Sequence, residues 1–386
     1  MLDKPHSKPA ALILCFSYLH KDPRVLRQIA WLKDDYAITT LGRSPSQVEG
    51  VDHVYYQESS SSPLRKLRHA VTFFSGNYDR SYWRADRINC VTKLSEQKFD
   101  LIVANDYDTL PIGVRLSEAQ GSTLLFDAHE YSPLEFTESL RWRLLQQPLI
   151  KHVCREYIPR TSIRTTVCQK IAEVYETEYG KRFEVITNAS EFADLQPSQT
   201  GPEKIRLIYH GGASKSRQTH KQIEMMRFLD DRFELSLMLI GEPSYIQNLK
   251  NMAGTMKNVK FLPPVATGDI AAFTNQFDVG IYSLPPTNFN NQYALPNKFF
   301  EFVQARLAIV VAPSPEMARI VRERDLGVVA EDFSPDSAAR AIQTLNSEMI
   351  DHYKAQAHKN ARDLSAEKNA QIFRQLVNNA DAREPV

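Results

Sequence analysis

The feature that most constrains this chain is a repeated alternation. Short apolar runs of strand length at 10–16, 37–41, 51–56, 99–104, 123–126 and 163–167 are mostly separated by stretches of helical period, and 183–186 would close the series. The first unit of the pattern reads strand, polar loop, then helix through Val25, Leu26, Ile29, Ala30 and Leu32. Such alternation predicts a parallel sheet covered by helices on both faces. After Leu195 to Lys204, which carry the Pro, Ser and Gly of a linker, the alternation starts again at 206–209, 235–240, 259–262, 279–282, 308–311 and 327–330. A chain of 386 residues also exceeds what one core usually supports. The expected fold class is therefore α/β, with two Rossmann-like doubly wound domains at 1–195 and 196–364, and a last helix within 365–386 that packs back on the first. Open α/β sheets bind ligands beyond the carboxyl ends of their strands, so two such domains would face a central cleft.

Composition excludes several classes. A net charge of +1 gives no reason to expect a nucleic-acid partner. Cys15, Cys90, Cys154 and Cys168 are scattered, with no pair at metal-ligand spacing and no disulfide framework, which fits a reducing cytoplasm. The run 10–16 is too short for a signal peptide, and no apolar stretch reaches about 18 residues.

Polar residues just after strands carry the candidate chemistry. Pro296 suits the first turn of a helix in which Phe299, Phe302 and Val303 face a core while Asn297, Lys298 and Glu301 lie on another face. A lysine at the positive end of a helix dipole calls for something negative, and the helix start is itself an anion site; a solvated Lys298–Glu301 pair is the simpler alternative. The loop from His210 to Arg217 holds Gly211 and Gly212, which permit close backbone approach, and Lys215 and Arg217, which add charge for a diphosphate. Gly241 opens a third strand-end loop. In the first domain, Asp106 and Asp108 follow a strand; Asp108 suits a helix cap, and Asp106 is left to touch a hydroxyl-rich ligand. His129, flanked by Asp127 and Glu130, stands where it can bond a sugar hydroxyl or handle a proton. Arg24 either meets an acceptor phosphate or pairs with Asp22. The segment 64–93 carries seven basic residues against two acidic ones, a net of +5, interleaved with Phe73, Phe74, Tyr78, Tyr82 and Trp83. This segment suits an anionic membrane surface, the alternative being a helical excursion packed on its own domain with a solvated basic face, and Leu140 to Ile150, with Arg141, Trp142 and Arg143, is a second candidate surface.

These residues resemble the GT-B-fold retaining nucleotide-sugar glycosyltransferases, in particular family 4. The specific part is Ala294 to Glu301 with the strand 308–311 after it; Asp22 to Val25, Asn105-Asp106, Asp127 to Glu130, Val185 to Asn188 and the glycine pair support it. The resemblance implies that Glu301 binds the donor ribose, that Lys298 and Arg217 stabilise the departing diphosphate, and that His129 approaches the transferred sugar. Residue 293 is Tyr where the family pattern has its first glutamate, and Gly212 stands in place of an arginine. The implied reaction is metal-independent transfer with retention from a nucleoside-diphosphate sugar, a UDP-sugar first among them, to a saccharide or lipid-linked acceptor. Donor-binding residues would be Gly211, Gly212, Lys215, Gly241, Asn297 and Glu301; acceptor-side residues would be Arg24, Asp106 and Glu130. No resident cofactor or metal is implied. The setting would be envelope polysaccharide synthesis in the cytoplasm, at the inner face of the membrane. Two other readings share the fold: a nucleotide-sugar epimerase-hydrolase, and a non-catalytic sugar-nucleotide-binding module, which Tyr293 would favour.

Overall fold

The computed structural model describes residues 8–58 and 71–381. The chain forms two compact units, Met1–Thr187 with Ala370–Val386, and Asn188–Asn369.

Unit 1 is built on seven parallel strands: β1 (Ala10–Leu14), β2 (Ala37–Gly42), β3 (Asp52–Tyr55), β4 (Leu101–Asn105), β5 (Thr123–Ala128), β6 (Ile163–Thr166) and β7 (Glu184–Val185), in the order β3-β2-β1-β4-β5-β6-β7. The order reverses between β1 and β4, so the crevice of a doubly wound sheet opens beyond Leu14 and Asn105. β4 is buried along its whole length, as a strand covered on both faces must be. Ile13, Leu101, Val103 and Leu125 pack with Val25 and Ile29 of helix Pro23–Leu32 and with Phe373 and Val377 of the last helix, Ala366–Asp381. Trp31 and Phe373 meet at a ring separation of 5.3 Å, and Arg374 Nε donates to the Trp31 carbonyl at 2.9 Å.

Helix starts explain where the polar residues point. Asp22 caps helix Pro23–Leu32 by accepting from the N–H groups of Arg24 and Val25, and Pro23 occupies the first turn, where its missing N–H costs nothing. Helix Asp106–Gln120 follows β4 without a loop, which forces Asp106 to φ +59°. Asn105 therefore holds the cap position and Asp108 lies inside the first turn, correcting the expectation that Asp108 caps.

Unit 2 has six parallel strands, β8 (Ile205–Ala213), β9 (Phe233–Gly241), β10 (Val259–Leu262), β11 (Val279–Tyr282), β12 (Ala308–Val311) and β13 (Gly327–Val329), ordered β10-β9-β8-β11-β12-β13. β8 pairs with β9 as far as Ala213 opposite Gly241, so the glycine pair expected in a loop belongs to a strand. Phe299, Phe302 and Val303 of helix Asn297–Gln304 are fully buried, as their period predicts. Two details differ: Pro296 is extended and precedes the helix, and Lys298 and Phe300 are buried too, because the helix is packed on both sides rather than one. The stretch after Asn188 is tied to this unit by Arg306, which donates to the Ala193 carbonyl at 2.6 Å, and by Lys354, which holds Ser198 at 2.9 Å and Asp278 at 3.2 Å.

Gly280 of β11 leaves room for the Phe302 ring, whose atoms would lie 2.4 to 2.7 Å from a β-carbon placed there. Gly280→Ala should lower the unfolding free energy by about 1–3 kcal/mol, read as a reduced urea midpoint with unchanged slope.

Candidate functional site

Each unit gathers polar side chains at the carboxyl ends of its central strands. In unit 1 the centre is Asp127, at the end of β5. Arg24 donates to both its oxygens at 2.6 Å, Gln28 Nε2 donates at 2.6 Å and Thr165 Oγ1 at 2.7 Å. The Arg24 guanidinium holds the Asp127 carboxyl well below the usual range against the opposing effect of burial. Arg24 also donates to the Ile186 carbonyl at 2.8 Å. Its charge is thus enclosed with an ion-pair partner, Asp127 rather than the Asp22 considered from sequence.

Beside this pair, Gln28 and Asn105 exchange hydrogen bonds at 2.8 and 3.0 Å through their amides. His129 Nε2 lies 3.0 Å from Asn105 Oδ1 and 3.5 Å from Asp127, while Nδ1 lies 3.3 Å from Asp106. Asp106 also accepts the His129 backbone N–H at 2.9 Å. Burial opposes charge on His129, yet Asp106 and Asp127 raise it to about 9. Burial and the neighbouring Asp106 push Asp108 up to about 7. Glu130 is exposed, and its carbonyl accepts from the Tyr175 hydroxyl at 2.9 Å.

In unit 2 the centre is Lys298. Its ammonium lies 4.9 Å from the centroid of Tyr209 and 4.6 Å from that of Tyr282, two rings that stack, one from the middle of β8 and one from the end of β11. Nζ has no hydrogen-bond partner among the described residues although Lys298 is only 6% exposed. A β-carbon on Gly211, whose φ is +103°, would stand 2.9 Å from that nitrogen, and one on Gly212 would stand 3.6 Å from the Arg217 guanidinium. Two cations thus flank the glycine pair. Glu301 lies 3.6 Å from His210 Nε2, but burial first, and then Lys298, push that imidazole down to about 3, so it is neutral there and the contact is no ion pair. Burial, with Arg217 adding to it and Glu301 opposing, lowers Lys298 to about 7. Asn297 begins the same helix; Lys215 and Gly241 are exposed at the ends of β8 and β9, and a β-carbon on Gly241 would meet the Ala213 carbonyl at 2.6 Å.

Sequence reasoning gave no role to Gln28, Asn105, His210, Tyr209 or Tyr282. Gln28 stands four residues after Arg24 on the same helix face, a spacing that could have found it. The tyrosines come from strands distant in sequence and left no local signal. Among the described residues no group of three or more His, Cys, Asp or Glu is arranged to hold a metal ion. A cavity of about 990 Å³ opens at the opposite, amino-terminal edge of the unit 1 sheet, lined by Asp100, Arg164 and Arg182 among others. Its arginines are spent on the Arg182 carbonyl, Thr161 and Glu184.

Residues 204–348 match the family model described as "Glycosyl transferases group 1". No curated protein shows a significant sequence match. Among solved structures, Anabaena Alr3699/HepE in complex with UDP and glucose is 15% identical, with 96% of this chain and 100% of that one covered and a TM-score of 0.69. Sucrose-phosphate synthase from Thermosynechococcus elongatus is 12% identical, covering 97% and 99% at a TM-score of 0.68. WaaG, a glycosyltransferase involved in lipopolysaccharide biosynthesis, is 13% identical, covering 94% and 99% at 0.64. These likenesses show the fold, the GT-B type with two Rossmann-like units.

The Lys298 ammonium has a stability signature. The unfolded chain keeps this proton to about pH 10.5 and the folded protein only to about 7, so the unfolded state binds more protons between those values and stability rises with pH across them. Below pH 7 the cost of the buried charge is present in full. Lys298→Met should flatten the rise and raise stability at about pH 6 by at least ~1 kcal/mol, read from urea midpoints at acid and alkaline pH.

Proposed function

We propose that this chain is a glycosyltransferase that moves a sugar from a nucleoside diphosphate, a UDP-sugar first among the candidates, to a saccharide or lipid-linked acceptor with retention of configuration. The observation that carries the reading is the buried, unpartnered Lys298 ammonium beside Gly211. An ammonium with no acceptor of its own, at a helix start and next to a glycine strand end, is prepared for an anion that brings the missing oxygens. The family match over 204–348 lies within this same unit, and the similar Alr3699/HepE structure contains UDP and glucose.

In this reading the diphosphate sits across the Gly211–Gly212 backbone between Lys298 and Arg217, with Asn297 at the helix start, Lys215 in the outer loop and the Gly241 backbone alongside. Glu301 accepts hydrogen bonds from ribose hydroxyls. As the bond from the anomeric carbon to the diphosphate oxygen breaks, negative charge grows on the leaving group, and the two cations stabilise it without a metal. The acceptor oxygen bonds to the same face of that carbon and its proton passes to the departing phosphate. Unit 1 receives the acceptor through Asp106 and Glu130, with His129 and Arg24 holding the site.

The surface of unit 1 supports a membrane setting for the acceptor. No helix among the described residues is long and apolar enough to cross a membrane. Helix Leu140–Leu145 buries only Trp142 and exposes Leu140, Arg141, Arg143, Leu144 and Leu145, and Phe74 of the other basic segment is 71% exposed. Arg65, Lys66 and Arg68, part of that segment's charge, lie outside the described residues. Leucines and arginines with no acid between them suit an anionic lipid surface and peripheral attachment for work on envelope polysaccharide.

Calorimetry with UDP tests the donor site. Lys298→Ala and Arg217→Ala should each weaken binding at least about tenfold with the fold intact. Because the diphosphate returns Lys298 to its charged state, affinity should fall between about pH 7 and 9 in the wild type but not in Lys298→Ala. Unchanged binding in both variants would sink the reading. For the membrane, flotation with phosphatidylglycerol vesicles should show binding that salt weakens and that Leu140→Ser with Leu144→Ser abolishes; no flotation at low salt removes this part.

A further inference from the structure

The hydrogen-bond pattern around His129 fixes the proton on Nε2. Asn105 Nδ2 donates to the Leu14 carbonyl at 3.2 Å and to Gln28 Oε1 at 3.0 Å, so its other atom, 3.0 Å from His129 Nε2, is oxygen. Gln28 is oriented independently, because its Nε2 lies 2.6 Å from the Asp127 carboxylate, where an oxygen would be repelled. Nε2 of His129 must therefore carry hydrogen. On the other side of the ring, Nδ1 meets Asp106 Oδ2 at 3.3 Å, and the same carboxylate accepts the His129 backbone N–H through Oδ1 at 2.9 Å, a bond that favours its ionised form. The charged groups facing the ring are Asp106 and Asp108 from helix Asp106–Gln120, Asp127 from β5 and Arg24 from helix Pro23–Leu32, whose charge Asp127 already balances.

We propose that His129 is a positioning residue, an imidazolium clamped between Asn105 and Asp106, and that Asp106 is the group unit 1 offers to a sugar hydroxyl. An imidazole with both nitrogens donating to protein acceptors has no lone pair with which to take a proton. It cannot serve as a general base. Burial raises the Asp106 carboxyl beside a second carboxylate, Asp108; the His129 charge opposes that rise and holds the side chain where a left-handed backbone at φ +59° has placed it. Asp106 keeps spare lone pairs and 32% of its side-chain surface exposed, which suits it to accept a hydrogen bond from a neutral polyol. The assignment of Asp106 to a sugar rests on the function proposed above; the protonation of His129 does not.

Nitrogen NMR on protein labelled at histidine separates the two. In the wild type at about pH 7.5, His129 should show two protonated ring nitrogens, with the ring titrating at least one pH unit above the ordinary 6.5. Asp106→Asn, checked for folding by circular dichroism and UDP binding, should bring that titration down by a unit or more. A neutral ring at about pH 7.5 in the wild type, or a titration that Asp106→Asn leaves in place, overturns the clamp. Transfer from UDP-glucose to glucose as acceptor is the second readout: Asp106→Asn should lower the acceptor kcat/KM at least tenfold while the UDP dissociation constant stays within twofold. Retained acceptor kcat/KM overturns the role given to Asp106. If the wild type neither binds UDP nor turns over UDP-glucose, the donor reading falls and the role given to Asp106 falls with it, while the NMR result still decides the clamp.

Discussion

A charge taken out of water must be matched, and this chain depends on the two ways it meets that requirement. Arg24 and Asp127 in unit 1 are matched internally: two short bonds between them, with Gln28 and Thr165 completing the carboxylate's set. Removing one partner would strand the other at a cost of several kcal/mol. That enclosed pair fixes the relation between the first helix, the end of β5 and the Ile186 carbonyl. Lys298 in unit 2 is the opposite case. Two aromatic faces make its burial tolerable without supplying the oxygens that would satisfy it. The first arrangement builds a scaffold, and the second leaves a binding energy unspent.

The parallel sheet decides where these groups stand. With both faces covered, its strands have apolar interiors, and polar residues can collect only where the strands end. In each unit the order of strands reverses once, between β1 and β4 and between β8 and β11. Asn105 and Asp106 end the first of these crevices, Gly211 and Tyr282 the second. At Gly211 the left-handed backbone and the nearness of Lys298 both demand the absence of a side chain, so one glycine meets a conformational and a steric need together.

Much of this was legible in the sequence because it is local. Strand runs, the linker and the burial of Phe299, Phe302 and Val303 follow from period alone, and β10, β11 and β12 fall at the expected residues. What escaped was set by neighbours distant in the chain. β8 extends through its glycines because β9 is there to pair with them. Lys298 is buried because Tyr209 and Tyr282, far apart in sequence, stack beside it. Arg24 finds Asp127 rather than Asp22, which is occupied with capping the helix; no spacing within the chain reveals a partner 103 residues away.

The last helix also bears on how the chain is made. Phe373 and Val377 belong to the same cluster as Ile13, Val25 and Trp31, so the sheet of unit 1 lacks part of its core until residues 370–381 have been made. Unit 2 is one continuous stretch and has no such wait. Order of synthesis and order of completion are thus reversed, and a chain cut short after Asn369 would keep every residue of unit 2 while leaving an apolar face of unit 1 open to water or to another incomplete copy.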